Sequence, residues 1–267
     1  MIKALLLDID NTLLGPEGQL SLATKGAIAL AQNSGLKIIL ATARGYRSTR
    51  PIHSELELTC PVVCHMGAMV YDYELQKPLM TWPLPTQLAQ RLASLASQQG
   101  VRISAYVDEE VWFNESPDQP LRDDWIIKEN LVSALEGQSV LEMVVVGETA
   151  VASMMEAIRQ EPWAGQISLG KLQEAGKTWL FINRAGITKV SALDWLLPHL
   201  GLDWDDCAAC GDGTADLEMI QRARWGLAAP LAHPSVKAAA HAPFALDQNE
   251  PIASLVQEII TRCGSNV

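Results

Sequence analysis

The chain begins MIKALLLDIDNTLL, and the transition inside that stretch limits the fold more than any other feature. The apolar run Ala4 to Leu7 reads as a short strand buried on both faces, and such strands belong to parallel sheets covered by helices. The run stops at two carboxylates one residue apart, Asp8 and Asp10, with Thr12 close behind. An unpaired carboxylate is among the costliest groups to bury, so these two require an exposed strand end or a compensating cation.

The rest of the chain repeats the theme. Ser21 is placed to cap a helix over Leu22 to Ser34, which Gly35 ends, and "LKIILAT" is a second buried strand. An irregular helical stretch from Arg47 to Leu58, interrupted by Pro51, leads to the strand "PVVCH" at 61–65. The alternation resumes late, with a helix from Lys189 to Leu200, the strand "CAACGD", a helix from Thr214 to Arg224, the strand "WGLAA", and helices at Pro234 to His241 and Pro251 to Arg262. Strand alternating with helix predicts a parallel sheet with covering helices. Between the two blocks, from about Pro83 to Asn183, the texture changes. Helices at Thr86 to Gln99 and Ala150 to Gln160 stand among alternating stretches such as "RISAYV", "EVWFNE" and "LEMVVVG", with paired strand candidates near Gln166 and Trp179. That mixture predicts an inserted α+β domain with antiparallel pairing.

With 267 residues, 48% of them hydrophobic and 19% charged, the chain has material for a sizeable core and suggests two domains. A formal net charge of −11 with no basic run argues against nucleic acid as a partner. The first apolar run is too short for a signal peptide and no later one reaches membrane-spanning length, so a soluble, cytoplasmic protein with no membrane partner is expected. Nothing in the sequence speaks to oligomeric state. Five cysteines, Cys60, Cys64, Cys207, Cys210 and Cys263, make an odd number in a chain that needs no staples, so no disulfide framework is expected. "CAAC" at 207–210 lacks a second ligand pair at zinc spacing and falls in a buried strand, which leaves it a packing role. The five histidines show no ligand spacing.

In an open parallel sheet, ligands bind outside the carboxyl ends of the strands. Four polar clusters fall at that edge: Asp8 to Thr12, Thr42, Lys189, and "GDGTADLEM" with Asp212 and Asp216. Carboxylates crowded there repel one another unless a hard divalent cation with oxygen ligands lies among them, and Mg2+ is the economical choice. A carboxylate facing a screened phosphoryl group can attack phosphorus, a role for Asp8. A second carboxyl two residues on can protonate the leaving oxygen and later take a proton from water, a role for Asp10. Thr42 and Lys189 can donate to phosphoryl oxygens, Asp212 completes the metal site, and Asp216 holds its waters. Arg44 can face the substrate or pair with a surface acid.

The ordered set "DIDNT", "ATAR", "ITK" and "GDGTAD" resembles the haloacid dehalogenase-like hydrolases, in particular their Cof-type subfamily of small-molecule phosphatases. The likeness covers nearly the full length, through "HMGAMVYD" and "FINRAGITKVSALDWLLPHLG". It implies a Rossmann-like core over residues 1–82 and 182–267 and an inserted α+β cap of type IIB over residues 83–181. It also implies that Asp8 is the nucleophile, Asp10 the general acid and base, and Thr42 and Lys189 the phosphate binders. The metal is then held by the Asp8 side chain, the Asp10 carbonyl and Asp212, with Asp216 assisting. The activity implied is Mg2+-dependent hydrolysis of a small phosphorylated metabolite, a sugar phosphate or phosphorylated cofactor. A phosphomutase with the same cap type and a non-catalytic phospho-ligand binder are the rivals.

This chain departs from the subfamily pattern at five places. Asn11 and Ala43 stand where glycine is usual, Met66 and Ala215 where asparagine is usual, and Pro230-Leu231-Ala232 replaces Gly-Asn-Ala. Trp112, Trp125, Trp163 and Trp179 all lie in the insertion and are expected mainly in its core.

Overall fold

A computed structural model of the chain describes residues 1–264 apart from Pro16, Gln119, Leu121 and Ala175. The backbone divides into two units, Met1–Met80 with Thr188–Val267, and Thr81–Ile187.

The first unit opens with β1 (Ala4–Leu7), α1 (Leu22–Asn33), β2 (Lys37–Leu40), α2 (Tyr46–Glu55), β3 (Val62–Cys64), β4 (Met69–Asp72) and β5 (Lys77–Thr81). Every residue of β1 is fully buried, as the apolar run predicts. The Ser21 hydroxyl accepts from the Thr24 N–H and caps α1, and Gly35 leaves the helix at φ 83°. Pro51 lies inside α2 without ending it, contrary to the expected interruption. A proline withholds its own N–H, and the turns on either side of it hold the helix together.

The second unit follows with α3 (Thr86–Gln98), β6 (Ile103–Val107), β7 (Glu110–Phe113), β8 (Trp125–Ile127), α4 (Leu131–Ala134), β9 (Val140–Val146), α5 (Glu148–Arg159), β10 (Ile167–Glu174) and β11 (Lys177–Arg184). The chain then returns to the first unit with α6 (Lys189–His199), β12 (Cys207–Gly211), α7 (Leu217–Arg222), β13 (Trp225–Ala228), α8 (Pro234–Ala239) and α9 (Pro251–Gly264). The expected helix from Thr214 begins instead with a 3-10 turn over Thr214–Asp216 before α7.

In the first unit the main sheet has the order β13-β12-β1-β2, every pair parallel, with Leu7 opposite both Leu40 and Cys210. A parallel bridge between Ala41 and Val63 carries the order on to β3, and β3-β4-β5 form a small separate sheet. Helix α1 packs on α9, and α6 on α7. Strand order reverses between β1 and β12, the switch point at which open parallel sheets place a ligand crevice.

The second unit is a six-stranded sheet of order β10-β11-β9-β6-β7-β8. Its pairs with assigned register are antiparallel, except that β7 runs parallel to β8. Leu88, Leu92, Met154 and Ile158 from α3 and α5 join Ile103, Ala105, Met143, Val145, Leu180 and Ile182 in one apolar cluster. The strand residues of that cluster alternate along the chain, so the helices cover a single face.

Cys60, Cys64, Cys207 and Cys210 are buried free thiols, and burial pushes the Cys207 thiol up to about 12. The Cys263 side chain lies outside the described residues. Among the described residues no helix is long and apolar enough to cross a membrane.

Candidate active site

Asp8 follows β1 directly, and its N–H donates to the Cys210 carbonyl at 3.1 Å, which keeps it in line with the strand end. The carboxylate is 5% exposed. Lys189, first residue of α6 and 4% exposed, donates from Nζ to Asp8 Oδ1 at 2.5 Å and to Asp216 Oδ1 at 2.6 Å. A cation at a helix N-terminus opposes the helix dipole, and here the two carboxylates offset that cost. Thr188 and Ser191 form a reciprocal cap that fixes the turn from which Lys189 projects.

The second oxygen of Asp216 accepts from the Asp212 N–H at 3.2 Å and the Gly213 N–H at 3.0 Å. Asp216 therefore closes the loop after β12 while gripping Lys189. Gly211 is required beside it, because a Cβ at that position would lie 2.5 Å from the Asp216 side chain. Asp212 is half-buried, and its Oδ2 accepts from Asn11 Nδ2 at 3.4 Å. Asn11 has φ 55°, the left-handed region that glycine favours and asparagine tolerates better than most residues. One departure from the usual motif thus keeps the backbone turn and adds an amide next to Asp212.

On the neighbouring loop Thr42 is fully buried, and its hydroxyl accepts from the Arg44 N–H at 3.1 Å. The Arg44 carbonyl accepts from His65 N–H at 2.9 Å, which ties this loop to the turn after β3. The Arg44 side chain reaches Asp10: Nε lies 3.1 and 2.9 Å from the two carboxylate oxygens, and an Nη also donates to Oδ1. The partner of Arg44, left open by the sequence, is this carboxylate. The pair is less enclosed than the Lys189 cluster, with side-chain exposures of 31% and 12%.

Carboxylate oxygens of Asp8, Asp212 and Asp216 all lie within 4.8 Å of one another. Burial raises Asp8 well above the usual carboxylate range, Lys189 opposes that rise, and Asp216 and Asp212 add to it. Asp212 is pushed up to about 6, first by burial and then by the Asp216 charge. Burial works against the charge on Lys189, yet Asp216 and Asp8 together hold its pKa above the ordinary lysine value. Three crowded carboxylates against one ammonium are a donor set that suits a hard divalent cation, since one would relieve the repulsion these shifts record. Thr12 Oγ1 is buried at the same strand end with no hydrogen-bond partner among the described residues.

His65 and Met66, with φ 52° and 55°, and Gly67 at φ 105° form a turn whose role the sequence did not reveal. A Cβ at Gly67 would lie 2.1 Å from the Thr188 carbonyl, so the turn packs directly on the residue before Lys189. The Met-Gly pair gave a signal for this, though only as a departure from a pattern.

The family model for haloacid dehalogenase-like hydrolases matches residues 5–256. The pyridoxal phosphate phosphatase YbhA of Escherichia coli is 25% identical over 274 residues, covering 95% of this chain and 97% of that one. A 5-amino-6-(5-phospho-D-ribitylamino)uracil phosphatase of Bacillus subtilis, YcsE, is 24% identical over 238 residues, covering 88% and 87%. The crystal structure of a haloacid dehalogenase-like hydrolase from Bacteroides thetaiotaomicron has the same fold, with a TM-score of 0.83 and 22% identity over 97% of this chain and all of that one. The model match spans both blocks of the parallel-sheet unit, the insertion and all four polar clusters, and the chain belongs to the haloacid dehalogenase-like hydrolases.

Proposed function

We propose that the chain is a cytoplasmic, Mg2+-dependent phosphatase that hydrolyses a small phosphorylated metabolite through an aspartyl-phosphate intermediate on Asp8. The observation that carries this reading is the buried Asp8–Lys189–Asp216 cluster at the sheet's switch point, with Asp212 beside it and an Arg44–Asp10 pair on the adjoining loops. The phosphatase names of the two curated relatives support the same class of reaction.

Asp8 Oδ1 is held by Lys189, which leaves Oδ2 to attack phosphorus. Lys189 and Thr42 donate to the phosphoryl oxygens as charge moves onto them. The P–O bond to the leaving group breaks as Asp10 gives that oxygen a proton. Asp10 then takes a proton from the water that attacks the aspartyl phosphate, releasing phosphate and restoring Asp8. Arg44 keeps the Asp10 carboxylate oriented, and its fork suits phosphate geometry as well. When bound, Mg2+ would be held by Asp8, the Asp10 carbonyl and Asp212 with Asp216 assisting, and would supply screening of the charges on nucleophile and substrate. Residues 83–181 are the proposed cap, which selects the leaving group.

A phosphate-release screen with and without Mg2+ over sugar phosphates and phosphorylated cofactors tests the reaction class. In the same assay Asp10→Asn should slow an alkyl phosphate by about 10² to 10⁴, and p-nitrophenyl phosphate, whose leaving group needs little protonation, much less. Equal losses on both would remove Asp10 from the acid role.

A further inference from the structure

Four of the five tryptophans of the second unit, Trp112, Trp125, Trp163 and Trp179, divide into two pairs. Trp112 and Trp163 belong to the apolar cluster beneath the helices, where the sequence expectation put most of the group. Trp125 and Trp179 are only partly buried and lie on the other side of the sheet. The register establishes that side: Trp179 pairs with Val146, Ser104 with Val144 and Phe113, Tyr106 with Val111, and Val111 with Trp125. Side chains alternate along each strand, so all of these share the face opposite the helices.

On that face a cavity of about 510 Å³ is lined by Ser104, Tyr106, Arg122, Trp125, Lys177 and Trp179, among others, with Val111, Val144 and Val146 as its apolar floor. Trp179 and Trp125 stand on strands separated by three others, so roughly 19 Å divides them at about 4.8 Å per strand. One ring cannot touch both. Trp125 is already engaged, with the Arg122 guanidinium 5.7 Å from its ring centroid and Phe113 packed at 5.1 Å. Trp179 is partly exposed and lies nearly parallel to Phe181, at 11° with 6.4 Å between ring centroids, a neighbour farther off than either of those on Trp125. Stacking on indole beside a valine floor suits a planar ring.

We propose that this pocket binds a planar heteroaromatic ring, stacked on Trp179 with its polar edge toward the hydroxyls of Ser104 and Tyr106. The ring can come from the leaving group of the phosphorylated substrate, which rests on the phosphatase reading, or from a separate small molecule, which does not.

Titration calorimetry on the full chain with pyridoxine, uracil and adenine, and with glucose as the non-aromatic control, tests ring binding without any phosphate chemistry. At least one ring compound should bind and glucose should not. Trp179→Ala should weaken that binding about tenfold or more, and Trp179→Phe should keep most of it. Circular dichroism melts of both variants confirm that the sheet is intact. If none of the three rings binds, if glucose binds equally well, or if folded Trp179→Ala binds like the parent, the proposal is overturned. The source of the ring is read from kcat/KM for pyridoxal phosphate relative to glycerol 3-phosphate. A fall of about tenfold in that ratio in Trp179→Ala assigns the pocket to the leaving group, while an unchanged ratio with ring binding lost assigns it to a separate ligand. Ring binding without release of phosphate from any substrate would remove the phosphatase reading and leave the pocket standing.

Discussion

The two sheets of this chain put their polar groups in different places. In the parallel sheet of the first unit both faces are used for packing, and β1 and β12 contribute only buried residues until the chain leaves them at Asp8 and Asp212. Polar chemistry is confined to the strand ends. The largely antiparallel sheet of the second unit packs helices on one face, so its other face is where polar and aromatic side chains can collect. Ser104 and Tyr106 sit in mid-strand there, where a residue of the first unit's sheet would be part of the core. Connectivity thus dictates where a ligand can be met: at an edge in one case, on a surface in the other.

This division can be broken by experiment. The largest expected effect is Asp8→Asn, which should reduce phosphate release to background, a loss of about 10⁴ or more, while ring binding on the second unit changes less than about twofold. Ring binding that fell with turnover would show the two sites to be energetically one. Next is Gly67→Ala, which drives a Cβ against the Thr188 carbonyl and should cost about 3 kcal/mol or more in denaturant unfolding. A cost under about 1 kcal/mol would mean that the turn and α6 separate easily and that the strand-end site is softer than its packing implies. Met66→Asn is smaller and opposite in sign. It puts a residue tolerant of the left-handed region at φ 55° and should stabilise by about 0.5 to 1 kcal/mol. A neutral or destabilising result would show that the methionine side chain compensates through packing.

The smallest effect concerns the far end of β1. Lys3 and Asp206 form an ion pair at 2.8 Å, and the hydrogen bond and charge of Lys3 hold the Asp206 pKa below its ordinary value. A carboxylate depressed in the folded state stabilises above its unfolded pKa and loses that contribution as pH falls through the folded one. The melting-temperature difference between parent and Asp206→Asn should therefore be present at about pH 6 and shrink steadily as pH falls below about 4, through the depressed folded pKa. A difference that persists at low pH would point to lost packing instead of lost charge.

The same contrast explains what could be read from the sequence. An apolar run ending in carboxylates is visible without coordinates, and so the parallel sheet and the grouping of Asp8, Lys189, Asp212 and Asp216 were legible as an edge. The face of the second sheet was not. Alternation separates two faces but does not say which receives helices, and Trp112 and Trp125 look alike until register puts one in the core and the other outside it. The partner of Arg44 was hidden for a related reason: Asp10 is 34 residues away in the chain, and only the adjacency of β1 and β2 brings them together. The parallel pairing of β7 and β8 was equally unreadable, because β8 is three residues long and too short a pattern to show its direction.

The Lys189 bridge also has a consequence for the order of events at the ribosome. Its two ends are 181 residues apart, and β1 has β12 as one of its two neighbours. A nascent chain that has not yet released β12 therefore carries an apolar strand open along one edge, ending in a carboxylate that has no ammonium to meet. Open apolar edges invite pairing with other chains, and distant contacts form slowly. Synthesis of the whole second unit falls within this interval, so the first unit is expected to need protection by chaperones until its second half emerges, whereas the second, contiguous in sequence, can close its own sheet while still tethered.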